Sequence, residues 1–329
     1  MIKFLEIPDD EKLNIYQDIS NKMGVPPETV EKDVWVTLVL KMIFSSELAP
    51  HFIFKGGTSL SKAFDLIKRF SEDIDLGIDR RYLGFEGDLS KGKIRKLRRA
   101  CHSFVSNELM DVLKRQLDEY GVDKNLYNLV VENTEISDQD PETILVSYKS
   151  LYEESKEAYL QPKVKIEVSA RSLIEPHQAV DIDSWIDQQY PDAGFTDETF
   201  SVTTTDPQKT FLEKLILLHE EFEKDSEKIR HFRMSRHFYD IGQVLKSDFG
   251  PAALANKELF ESIIEHRKAL TPMKNTDYEN LTLESINIVP PNEQLENYKS
   301  DYKEMLGSMI REETGEFEEL LNEILKNLK

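Results

Sequence analysis

The stretch His51-Phe52-Ile53-Phe54-Lys55-Gly56-Gly57-Thr58-Ser59-Leu60-Ser61-Lys62, followed closely by Arg69-Phe70-Ser71-Glu72-Asp73-Ile74-Asp75-Leu76-Gly77-Ile78, decides how the chain is read. Residues 51–54 form a short apolar run that stops at Lys55-Gly56-Gly57. Leu60, Phe64 and Ile67 then recur at i, i+4 and i+7, which predicts a helix. Residues 73–78 alternate with period two, which predicts a strand. Strand, glycine turn, helix, strand is the expectation for 51–78.

On such a strand Asp73 and Asp75 point to one face, Ile74 and Leu76 to the other. Adjacent carboxylates repel unless a cation joins them. Mg²⁺ takes oxygen ligands and commonly links one or two carboxylates to substrate phosphates. A lone D-x-D also describes a solvated strand edge, so its surroundings matter. Gly56-Gly57 ahead of a helix lets backbone amides approach a phosphate, and the helix N-terminus favours its charge. Thr58 and Ser59 are candidate caps for that helix. A third acid lies in Lys163-Val164-Lys165-Ile166-Glu167-Val168-Ser169, where period two puts Lys163, Lys165, Glu167 and Ser169 on one face. Glu167 either joins the two aspartates from a neighbouring strand or pairs with a lysine.

Outward from this centre, residues 1–45 read as helical, with Pro26-Pro27 opening a segment through Trp35, Leu38 and Leu40. Residues 90–118 form a long amphipathic segment with Ile94, Leu97, Cys101, Phe104 and Val105 on one side. Residues 143–148 and 163–170 are strand-like. Asp206 suits an N-cap and Pro207 a first helical position, and the chain is mostly helical from there on. A loop-rich stretch with Pro272, Pro290 and Pro291 precedes two closing helical segments. The expected domains are 1–200, with strands and helices, and 201–329, helical.

Composition narrows the function. The 329 residues suit about two domains at ~150 each. Forty-two basic against 62 acidic residues leave a net charge of −20, which excludes a protein that coats nucleic acid with its whole surface. One cysteine, Cys101, excludes an internal disulfide or a multi-cysteine metal site. The histidines show no zinc-binding spacing. The best apolar run, residues 34–44, is broken by Lys41 and falls short of the ~18–20 residues of a membrane span. A cytoplasmic protein with no membrane partner is expected. Between Asp88 and Glu108 no acidic residue interrupts Lys91, Lys93, Arg95, Lys96, Arg98 and Arg99. That run is a candidate surface for RNA phosphates, or else a helix face paired with acidic neighbours. Arg230, His231, Arg233, Arg236 and His237 form a second, looser basic group.

The order h-G-G, D-h-D-h, h-E-h resembles the DNA polymerase β-like nucleotidyltransferase superfamily. Lys55-Gly56-Gly57-Thr58 with Ser71-Glu72-Asp73-Ile74-Asp75-Leu76 is similar to its AbiEii/AbiGii toxin branch, the toxins of type IV toxin–antitoxin and abortive-infection (phage defence) systems. Residues 58–72 separate the glycines from Asp73, slightly longer than the general pattern and usual in the toxin branch. Thr210-Phe211-Leu212-Glu213-Lys214-Leu215 resembles the branch's lysine motif, and Ser235-Arg236-His237-Phe238-Tyr239-Asp240-Ile241 its R-x-x-Y-D motif. Tyr298, Asp301-Tyr302 and Met305 are similar to a C-terminal element, so the likeness runs from Glu31-Lys32-Asp33 to about residue 310.

The resemblance implies an α+β fold: a polymerase β-like core with a mixed sheet, followed by a helical C-terminal domain. It implies a nucleotidyltransferase that moves NMP from an NTP to an acceptor, the tRNA 3′ end in the leading case. Asp73 and Asp75 would hold Mg²⁺ (or Mn²⁺), with Glu167 as a further candidate ligand. Lys214 would contact the nucleotide phosphates and Asp240 would be the essential acid of its motif. Gly56, Gly57, Thr58, Ser59, Lys62 and Ser71 are the candidate nucleotide-binding residues. In related toxins the serine matching Ser71 can be phosphorylated, which silences the enzyme. An antitoxin partner is implied, often acting without a stable complex. The alternatives are transfer to a protein or small molecule, or a catalytically silent nucleotide-binding module. By themselves, Lys214 reads as a helix-surface residue beside Phe211, Leu215, Leu218 and Phe222, and Asp240 as the i, i+4 ion-pair partner of Arg236.

Overall fold

The computed structural model describes residues 2–133, 135, 138–153, 161–310 and 314–328. The chain divides into two compact units, one of Met1–Ala63 with Phe70–Thr204, the other of Phe64–Arg69 with Thr205–Lys329.

In the first unit, helices α1 (Ile2–Glu6), α2 (Asp9–Met23) and α3 (Pro27–Phe44) come first. A helix apolar on every side belongs inside, and Val30, Val34, Leu38, Val39, Leu40 and Ile43 of α3 are fully buried. Strand β1 (Phe52–Lys55) leads without a gap into α4 (Gly56–Lys62), and β2 (Asp73–Ile78) follows. Next, α5 (Lys91–Phe104) passes through one π-helical turn (Val105–Leu109) into α6 (Met110–Glu119). Ile94, Leu97, Cys101, Phe104 and Val105 are all buried, as their spacing predicts. The remaining elements are β3 (Tyr127–Val131), β4 (Glu142–Tyr148), β5 (Lys163–Ser169), β6 (His177–Ile182), α7 (Trp185–Gln189) and β7 (Phe200–Thr205).

The seven strands form one mixed sheet in the order β3-β4-β5-β2-β1-β7-β6. β1 runs antiparallel to β2, while β2 and β5 run parallel in the register Asp73↔Lys165 and Asp75↔Glu167. The alternation of β5 buries Val164, Ile166 and Val168 completely. On β2 it buries Ile74 and Leu76 and leaves both aspartates half-buried on the other face. Trp35 of α3 stacks on Tyr148 of β4 at 5.0 Å, fixing the helix against the sheet.

The second unit is helical: α8 (Pro207–Phe222), α9 (Ser235–Leu245), α10 (Phe249–Ala255), α11 (Lys257–Leu270), α12 (Asn292–Met309) and α13 (Phe317–Asn327). Asp206 caps α8, accepting from the Gln208 amide at 2.8 Å, with Pro207 in the first turn. Phe238 sits at the centre of an aromatic cluster, 5.1 Å from Phe317 and 5.8 Å from Tyr298.

One expected helix is cut short. α4 stops at Lys62, and Asp65 takes a left-handed φ of 49° that a helix cannot continue through. Leu60 is buried in the first unit, whereas Phe64 meets Phe249 edge-on at 6.0 Å in the second. Their regular spacing serves two cores rather than one helix. Strands β3, β6 and β7 carry no clear signal in the sequence. β3 and β6 are the outer strands of the sheet; β6 is mostly exposed, and β3 alternates only between half-buried and exposed positions.

Candidate active site

In the first unit the site is built where β1 turns into α4 beside β2. Gly56 has a φ of +78°, and a Cβ there would collide with the Asp75 carboxylate. Glycine is thus required twice over, by backbone conformation and by the closeness of the acid. Lys55 precedes α4 without capping it through its side chain. Thr58 and Ser59 do not cap α4 either, because both lie inside its first turns and are fully buried. The Thr58 hydroxyl donates to the Asp73 carbonyl and lies 2.9 Å from Ser71 Oγ, while Ser59 Oγ donates to the Gly56 carbonyl at 2.9 Å. Their work is to tie the glycine turn to the first residue of β2.

Lys62, a candidate phosphate contact, meets Asp33 of α3. Its ammonium is 2.6 Å from Asp33 Oδ1, with the two side chains only 7% and 2% exposed. Glu167 does lie across from Asp75 on the neighbouring strand, but Lys165 Nζ holds its carboxylate at 2.6 Å. Partial burial alone would lower the Lys165 pKa; the hydrogen bond and charge of Glu167, with the charge of Asp73, hold it above the ordinary value. Among the described residues no three Asp, Glu, His or Cys side chains group closely enough to hold a metal between them. Of the three candidate ligands, Asp73 and Asp75 share one face of β2 and Glu167 stands across from Asp75 on β5. Two carboxylates on one face suit Mg²⁺, which keeps several waters and shares substrate phosphates.

The second unit carries its own charged centre. Asp240 of α9 is fully buried. Arg69 grips it with both arms, Nε to Oδ1 at 2.6 Å and Nη2 to Oδ2 at 2.7 Å, and Lys214 Nζ of α8 lies 3.0 Å from Oδ2. Burial pushes the Asp240 pKa upward, but the charges of Arg69 and Lys214 outweigh it and hold the carboxyl below its ordinary range. Burial lowers the Lys214 pKa, Asp240 raises it, and repulsion from the Arg69 and Arg236 charges lowers it again, so it lies below its ordinary value. His237, 3.4 Å from the Lys214 ammonium, is held well below its usual pKa by burial and then by Lys214, and stays neutral. Lys214 is thus a buried cation rather than a helix-surface residue, and Asp240 pairs with Arg69 and Lys214. Arg69, four residues before Asp73 in the chain, had no role in the sequence reading. No signal in the sequence marks it, because its partner lies 171 residues away.

The basic run lies on α5. Lys91, Lys93, Arg95, Lys96 and Arg99 are exposed and Arg98 is half-buried. Arg95 reaches Asp138 at 2.9 Å. No helix among the described residues is long and apolar enough to cross a membrane.

No curated protein matches the chain in sequence. Among solved structures, MenT4, a nucleotidyltransferase toxin of Mycobacterium tuberculosis H37Rv, aligns over 95% of this chain and 97% of its own at 14% identity, with a TM-score of 0.47. JHP933 from Helicobacter pylori aligns over 92% and 91% at 12% identity, with a TM-score of 0.47. The sequence model described as nucleotidyl transferase AbiEii toxin, type IV toxin–antitoxin system, matches residues 38–323. That span takes in the glycine turn, the acidic strand, the lysine of α8 and the aspartate of α9, and the chain belongs to this family of NTP-using nucleotidyltransferase toxins.

Proposed function

We propose that the protein transfers the nucleoside monophosphate of an NTP to the 3′ end of a tRNA in an Mg²⁺-dependent reaction, and that this modification is how the toxin acts in phage defence. The observation that carries the reading is the Asp73–Asp75 pair on one face of β2, with Gly56 stripped of a side chain against Asp75. Asp73 and Asp75 hold the metal and orient the acceptor hydroxyl. The hydroxyl oxygen bonds to the α-phosphorus as the bond to pyrophosphate breaks, and the hydroxyl proton leaves to water. Mg²⁺, when bound, neutralises the charge that develops on the triphosphate. Lys214 supplies a second positive charge to the nucleotide phosphates. Asp240, with both oxygens engaged, orients Lys214 and touches no substrate.

A tRNA acceptor is supported by the α5 face, where the exposed cations contrast with a chain of net charge −20. A reaction that draws on NTP and tRNA pools belongs in the cytoplasm. The type IV family implies an antitoxin, and no stable complex with it is required.

The test is a labelling assay with Mg²⁺, each of four α-labelled NTPs and total tRNA, run beside Asp73→Asn. Label in tRNA from the wild type, reduced on the order of 10²–10³-fold in the variant, is expected. Label in a protein or small molecule instead would replace the acceptor. Nucleotide bound but never transferred would replace catalysis with a silent binding role.

A further inference from the structure

Three consecutive charged residues, Glu31-Lys32-Asp33, lie in the first half of α3, each only 2% exposed. A buried charge persists only where partners and hydrogen bonds compensate its lost hydration. Successive helical residues point about 100° apart, so this triplet needs three separate sets of partners. It has them. Glu31 accepts from the Leu151 amide at 2.9 Å and from Ser150 Oγ at 2.5 Å. Lys32 pairs with the Glu72 carboxylate and donates to the Gln161 carbonyl at 2.9 Å. Asp33 accepts from Lys62 Nζ at 2.6 Å and from the Trp185 amide at 2.8 Å.

Two of these contacts close a ring. Lys32 holds Glu72, the residue before Asp73. Thr58 of α4 holds the Asp73 carbonyl. Lys62, at the far end of α4, returns to Asp33, the neighbour of Lys32. The ring runs from α3 to β2 to α4 and back, through hydrogen-bonded and charged links alone. Apolar packing lets neighbouring elements slide by fractions of an ångström, whereas charged hydrogen bonds fix distance and direction. The two segments so fixed carry the glycine turn and the acidic pair.

We infer that Lys32 and Asp33 are positioning residues for nucleotidyl transfer, Lys32 acting on Asp73 through Glu72 and Asp33 acting on the glycine turn through Lys62. The inference rests on the reading of Asp73 and Asp75 as the metal-binding pair. It gives Lys62 the place of a strut inside the unit, and it gives a function to two residues that precede the span matched by the family model.

The experiment uses the full chain with Lys32→Met, Lys32→Arg and Glu72→Gln. Mn²⁺ binding is read by electron paramagnetic resonance, amide hydrogen exchange over 71–76 by mass spectrometry, and kcat and KM for NTP by steady-state kinetics. Lys32→Met is expected to weaken Mn²⁺ binding, to speed exchange at the start of β2, and to lower kcat roughly 10–100-fold, as loss of a supporting residue does. KM for NTP should stay within ~2-fold, because no ground-state contact to nucleotide is removed. Lys32→Arg should recover part of the loss. Adding Glu72→Gln to Lys32→Met should cost little more, since both break one link. Should Lys32→Met fail to fold, Glu72→Gln keeps size and one hydrogen bond and must show the same three changes. A folded Lys32→Met or Glu72→Gln protein with wild-type Mn²⁺ binding and wild-type exchange at β2 would overturn the inference alone. Unchanged Mn²⁺ binding in Asp73→Asn, measured in parallel, would overturn the metal reading and the inference with it.

Discussion

The two units each centre on aspartate, and they treat it in opposite ways. Asp73 and Asp75 sit half-buried on a strand, side by side, with a glycine turn where a side chain would crowd them. Asp240 is fully buried and has two cations on its two oxygens. Two carboxylates side by side repel, and an added cation between them relieves that repulsion, whereas Asp240 already has a cation at each oxygen. On the proposed function, chemistry that needs a metal belongs to the first. The second holds the geometry and charge of Lys214.

The largest expected effect comes from breaking the neutralised centre. Asp240→Asn leaves Arg69 and Lys214 buried with uncompensated charge, which should cost about 3–5 kcal/mol, read as a fall in denaturant midpoint. A cost near zero would mean that Asp240 is not what holds these cations in place. The same group predicts a pH dependence. Its folded pKa lies below the unfolded value of 3.8, so its contribution is fully present above that value and is lost as pH falls through the lowered folded pKa. Melting temperature should therefore drop more between neutral pH and pH 3 in the wild type than in Asp240→Asn, where no proton is taken up at this site.

How much of this contrast is legible in the sequence follows from distance along the chain. The glycine turn and acidic strand declare themselves because period two, the glycine pair and the two acids fall within 28 residues, 51–78. The edge between Asp75 and Glu167 follows from the pattern of β5, whose core face is an unbroken Val164, Ile166, Val168 series. The Arg69–Asp240 pair joins residues 171 apart and the Lys62–Asp33 pair joins residues 29 apart. A lone charged residue carries no mark of its partner at such separations, so neither pairing is legible in the sequence. Glu31-Lys32-Asp33 was visible as a string but not as three buried charges, because burial of a helix's polar residues is set by the rest of the fold.

A smaller effect tests how closely the glycine turn is fitted to the acid in the first centre. Gly56→Ala must adopt a φ of +78° and push against the Asp75 carboxylate. The strain should cost about 1–3 kcal/mol, and the displaced carboxylate should weaken Mn²⁺ binding in the same variant. Loss of stability with unchanged Mn²⁺ binding would separate the turn from the acid and weaken the contrast between the two centres.

The smallest effect concerns Glu167, the acid that stands between the two kinds of site. Its position across from Asp75 suits a third metal ligand, yet its carboxylate is held by Lys165 at 2.6 Å. The pair is part-exposed, 35% and 24%, and such pairs contribute about 0–1 kcal/mol once solvent screening is counted. Glu167→Gln should therefore leave the melting temperature nearly unchanged and lower Mn²⁺ affinity far less than Asp73→Asn does. The Lys165 charge is then released toward Asp73, which would compete with the metal, so a modest loss of affinity is expected rather than none. Lys165→Met frees the Glu167 carboxylate and removes the competing cation together, and adding Glu167→Gln to it separates the two causes. Tighter Mn²⁺ binding in Lys165→Met, abolished again by adding Glu167→Gln, would show that the lysine restrains a latent third ligand. Equal affinity in the single and double variants would leave the metal to the two aspartates of β2.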